Sequence, residues 1–139
     1  MSYNLNILSD DTAGVDVIGT SGAPAALSVA DTYVAQTGLT PVLNYRQATW
    51  YPFISAVGTA TKITVKVEWS EDATNLAQQG LEAISGAAAT ISSGEWEYTA
   101  VAGALPPIPI PIIAPNAKVS IKADIGTTTT CYVRVVRQA

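Results

Sequence analysis

The residues able to do chemistry form a short inventory, and histidine is missing from it. Its absence removes the most used general base and the most used metal ligand together, and every Ser-His-Asp or Cys-His constellation with them. Carboxylates remain. The run SDDTAGVD places Asp10, Asp11 and Asp16 around a glycine, a set of oxygen donors with the chemistry for Ca²⁺ but without EF-hand spacing. An ion site and a plain Asp-rich turn both fit it, and the turn is the simpler reading. EWSEDATN sets Glu68, Glu71 and Asp72 beside Trp69, and GEWEY sets Glu95 and Glu97 around Trp96. A glycosidase needs two carboxylates facing each other across a sugar cleft, whereas acids in these contexts read as solvated strand edges and turns. The single cysteine, Cys131, falls on the apolar side of an alternating segment and reads as a small buried hydrophobe. We therefore expect no enzyme activity, no cofactor and no metal.

The elements that must position these groups are strands. In KITVKVEW, Ile63, Val65, Val67 and Trp69 alternate with Lys62, Thr64, Lys66 and Glu68, the period of two that marks a half-buried strand. AKVSIKAD repeats the pattern with Val119, Ile121 and Ala123, and TCYVRVVRQ repeats it with Cys131, Val133 and Val135. With IGTTTT between them, these last two predict an antiparallel hairpin. Shorter strands are expected over 3–8, 15–18, 25–29, 32–36, 41–46 and 51–56, punctuated by Gly, Pro, Asp and Ser. GEWEYTAV resumes the alternation, with Trp96 and Tyr98 on one side. Only NLAQQGLEAISGAAATISS, with Leu76, Gln79 and Ala83 near helical spacing, suggests a short helix, and Gly80 weakens it. At 139 residues the chain is expected to form one domain, 1–139, an all-β antiparallel sandwich or jelly roll.

One segment stands apart. LPPIPIPIIAP, residues 105–115, puts Ile108, Ile110 and Ile112 on every second position with Pro107, Pro109 and Pro111 between them. Prolines lack the donor that a central strand needs, so the ribbon is either an edge strand packed on its own domain or a stiff arm reaching a neighbour. As candidate partner-interface residues we take Leu105, Pro107, Ile108, Pro109, Ile110, Pro111 and Ile112, joined by Trp50, Tyr51 and Trp96, which are freer than Trp69 to lie at a surface. The same aromatics could stack a sugar.

Composition narrows the partners. Seven basic residues against eleven acidic ones, with the cations spread over separate segments, argue against nucleic acid. No apolar run reaches the length of a membrane span, and MSYNLNILSDD lacks the pattern of a secretory signal, so cytoplasmic synthesis is expected.

Two stretches, KVEWSEDATN and AKVSIKADIGTTTTCYVRVV, carry a likeness. A strand running into an acidic turn, followed by Thr-rich and Val-rich strands, resembles the small β-sandwich virion proteins of tailed bacteriophages, most of all head decoration (cement) proteins. That resemblance covers about the second half of the chain. It implies a virion protein on the capsid surface, commonly a homo-trimer, bridging subunits of the major capsid protein. A tail, neck or fibre component, and a carbohydrate- or receptor-binding module, are the alternatives.

Overall fold

The structure is a computed structural model that describes residues 13–71, 77–78 and 94–139. The expected strand 3–8, Asp10, Asp11 and Asp72 lie outside them, as does most of the expected helix; Ala77–Gln78, within that stretch, is a short strand. Two antiparallel sheets pack against each other as a β-sandwich, each with six strands among the described residues. Sheet A runs β1 (Val15–Ile18), β12 (Thr129–Gln138), β5 (Gln47–Ala56) and β10 (Ile108–Pro111), with β2 (Ala25–Leu27) also on β12 and β9 (Gly103–Ala104) also on β5. Sheet B runs β3 (Val34–Ala35), β11 (Asn116–Ala123), β6 (Lys62–Ser70) and β7 (Ala77–Gln78), with β4 (Thr40–Pro41) also on β11 and β8 (Glu95–Thr99) also on β6.

Period-two alternation builds the core. From sheet B, Ile63, Val65, Val67 and Trp69 meet Val119 and Ile121; from sheet A come Trp50, Ile54, Cys131, Val133 and Val135, all buried. Trp50 and Trp69 touch across the layer edge to face, ring centroids 6.1 Å apart. This is a favoured aromatic geometry, and it offsets part of the cost of indole N–H groups that have no hydrogen-bond acceptor among the described residues.

Segments 116–123 and 129–138 do not form the expected hairpin. β11 pairs with β6 in sheet B and β12 pairs with β5 in sheet A, so the chain between them crosses from one sheet to the other. The crossing is locked locally. The Asp124 carboxylate accepts the backbone N–H groups of Thr61, Lys62 and Ile125 and the Thr61 hydroxyl, tying this loop to the one entering β6. The two loops also interlock through glycines: a Cβ on Gly58 would lie 2.1 Å from Thr128 Oγ1, and one on Gly126 would lie 2.1 Å from Thr59 Oγ1.

A second departure lies at 41–46. The strand ends at Pro41, because Tyr45 N–H closes a turn onto Val42 O and Asn44 takes a left-handed φ of 75°. Sheet B is completed on this side by a side chain: Gln36, buried between β3 and β4, accepts Val119 N–H at 2.8 Å and donates to Thr40 Oγ1 at 3.1 Å.

Candidate functional site

The Pro-Ile ribbon is an edge strand of its own domain. β10 lies antiparallel to β5, with Ile108 opposite Trp50 and Ile110 opposite Ala48. Ile112 N–H donates to Arg46 O at 2.9 Å. Alternate residues of a strand send their N–H groups to opposite edges, so those of Ile108 and Ile110 also point to β5. Pro109 and Pro111 therefore occupy the free edge, which has no N–H to offer there. Pro52, inside β5, accepts Leu105 N–H but cannot donate in return, and β9 and β10 are separate strands on either side of this point.

This arrangement corrects the candidate surface. Ile108 and Ile110 are buried at 1% and 3% exposure, Leu105 is buried with them, and Ile112 is partly buried against the same core. Trp50 is wholly buried, because it shares the inward parity of Ala48 and Ile54. Trp96 faces inward opposite Val65 and packs on the margin of the core, as does Tyr98, whose hydroxyl donates to Pro106 O. Of the ten residues singled out, Tyr51 and the prolines 107, 109 and 111 are exposed.

Tyr51 marks the surface that the sequence did not reveal. On the outer side of sheet A the register sets Phe53 opposite Tyr132, Tyr51 opposite Arg134 and Thr49 opposite Val136, with Pro109 beyond Thr49. Phe53 and Tyr132 stack with centroids 4.8 Å apart and planes 18° from parallel. Tyr51 is 41% exposed. Together with Leu105, Ala104 and Ala13 at the rim, Tyr51, Phe53, Tyr132, Arg134 and Val136 line a shallow groove of about 720 Å³. Its charge is internal: Arg134 Nε donates to Asp16 Oδ1 at 3.1 Å, and Arg134 Nη1 reaches Ala13 O. Gln138 is engaged by the Thr49 hydroxyl. The parity of Tyr51 with Phe53, and of Tyr132 with Val136, was present in the sequence, but only the pairing of β5 with β12 brings the two sets together.

Sheet B presents the opposite chemistry. Its outer side holds Lys62 against Glu97, Lys66 against Glu68 and Lys122 against Asp31. The Lys66 and Lys122 ammonium groups also sit 4.3 and 4.8 Å from the Tyr33 ring centre. Burial, and then the hydrogen bond that Tyr33 donates to Glu95, raise the phenol well above its ordinary range. Glu68, Glu95 and Glu97 are thus held singly by separate partners, Lys66, Tyr33 and Lys62. Among the described residues no group of His, Cys, Asp or Glu is arranged to hold a metal ion. Burial pushes the Cys131 thiol up to about 12, which keeps it protonated and unreactive at neutral pH.

Comparison with protein families, with curated proteins and with solved structures finds no match to this chain.

Proposed function

We propose that the chain is a structural virion protein: a decoration protein that sits as a homo-trimer on the outside of an assembled phage head and bridges major capsid subunits. The reading rests on the sequence resemblance described above, and one structural observation carries it further. The outer side of sheet A is aromatic and nearly free of charge, with Tyr51 exposed beside the Phe53–Tyr132 stack. Tyr, Phe and Arg together on an exposed sheet face match the composition of a protein contact. A sugar platform needs ring faces turned to solvent, whereas Phe53 and Tyr132 each give one face to the other.

The mechanism is linkage. A protein that binds the assembled lattice but not its free subunits stabilises that lattice by its own binding energy, and several simultaneous contacts per trimer make each modest contact long-lived. The experiment is co-sedimentation of the purified chain with assembled heads and, separately, with free major capsid subunits. Retention on heads alone is expected. Equal affinity for free subunits, or no retention on heads, would overturn the reading.

A further inference from the structure

The described residues begin at the groove on the outer side of sheet A. Ala13 is part of the groove wall, and Arg134 Nη1 donates to Ala13 O at 3.4 Å. Gly14, with a φ of 71°, brings the backbone down onto the Arg134 stem: a Cβ there would lie 2.8 Å from Arg134 Cδ and 2.9 Å from Val135 O. Arg134 lies opposite Tyr51 on that outer side, so residues 1–12 join the domain over the groove and away from the core. We propose that residues 3–8 of the same chain occupy this groove and cover Tyr51. The proposal stands without the assembly reading, to which it adds that the face is covered until a partner displaces the segment.

Sequence, reach and tethering select this occupant. Tyr3, Leu5 and Ile7 alternate with Asn4 and Asn6, so an extended segment has one apolar and one amide side. The groove is of matching character, with Tyr51, the Phe53–Tyr132 stack and Val136, and its Arg134 is already paired with Asp16. From β1 across β12 and β5 to β9 is three strand spacings, about 15 Å. Six extended residues reach about 20 Å, enough for 3–8 to span the groove with 9–12 as the link to Ala13. The tether also decides between copies. A segment fastened at the groove wall meets the groove at a millimolar effective concentration, which the same segment of another copy matches only when the chain itself is that concentrated. The outer side of sheet B is a poorer host, because its three Lys–acid pairs would lose water on being covered.

The test is the rate at which a thiol reagent modifies Tyr51→Cys in the full chain. Cys131 is buried and stays silent, so the signal comes from position 51. Modification is expected to be slower, by roughly tenfold or more, than in the same chain carrying Leu5→Asp and Ile7→Asp. Asn4→Asp with Asn6→Asp adds the same charge on the other side of the segment and should keep the protection. An unchanged far-ultraviolet circular dichroism spectrum verifies that each variant folds. Equal rates with and without Leu5→Asp and Ile7→Asp would overturn the proposal, and so would an equal loss of protection in the Asn4→Asp, Asn6→Asp chain. Protection that grows with chain concentration would also overturn it, assigning the groove to a neighbour's segment. Head co-sedimentation separates the two claims: an unprotected position 51 in a chain retained on heads ends this inference and leaves the functional reading standing, and protection without retention does the reverse.

Discussion

Seen from inside, the two sheets are nearly interchangeable: each turns a row of Val and Ile, with one buried tryptophan, toward the shared core. Seen from outside they have little in common. Sheet B shows water a set of lysines with an acid beside each, and sheet A shows it Tyr51, stacked Phe53 and Tyr132, Val136 and the proline rings of β10. The inner rows hold the fold together. The outer rows differ, and an aromatic face whose charge is confined to one Arg134–Asp16 pair is the kind of surface that the proposed function would use.

The sharpest way to separate inner from outer is on β10, where neighbours point opposite ways. Ile110→Asp buries a carboxylate with no partner and should cost about 3–5 kcal/mol, read as a collapse of the urea midpoint. Pro109→Asp, one residue away and exposed, should leave that midpoint almost unchanged. Equal effects would break the division. Next in size is Gln36→Ala, which leaves Val119 N–H buried without its acceptor and should cost about 1–3 kcal/mol in the same measurement.

Acid should act on the loop crossing between the sheets. Hydrogen bonds from the Thr61 hydroxyl and from the Lys62, Thr61 and Ile125 backbone hold the Asp124 carboxyl well below the usual carboxylate range. A folded-state pKa below the unfolded value of about 4 contributes stability that is fully present above pH 4 and is lost as the pH falls below it. Asp124→Asn should therefore lower the melting temperature at pH 7 and flatten its decline in acid. A decline as steep as that of the natural chain would remove Asp124 from the account. The smallest effect belongs to the outer row of sheet B. Glu97→Gln breaks a pair whose side chains are 48% and 56% exposed, and should change stability by less than about 0.5 kcal/mol. Added salt should weaken such pairs.

Much of this was legible in the sequence where the signal is local. The strand 62–70 and the inward sets of 117–123 and 131–135 follow from alternation alone, and Cys131 is buried as its parity required. What alternation cannot encode is which sheet a strand joins. Two well-patterned strands around IGTTTT read as a hairpin, yet Gly58, Gly126 and Asp124 turn the connection into a crossover, and those contacts join residues some 60 positions apart. Trp50 was misplaced for a related reason. Starting the strand at Tyr51 hides that Ala48, Trp50 and Ile54 share one parity, and strand ends are the weakest part of any pattern. The groove was legible only in halves, because its residues come from strands about 80 positions apart.

The alternation of proline and isoleucine along β10 has a consequence best put in the language of polymer growth. A β-sheet lengthens sideways by adding strands, and each addition needs a reactive rim; here the last unit added is a chain terminator, fastened by Ile108 and Ile110 on one side and inert at Pro109 and Pro111 on the other. On the virion reading proposed above, many copies would share one particle at high local concentration, where an open rim would propagate from molecule to molecule. Restoring the donors with Pro109→Thr and Pro111→Thr should keep the fold and its melting temperature while opening the way to thioflavin-positive fibres, because the ribbon closes this edge of sheet A to a further strand.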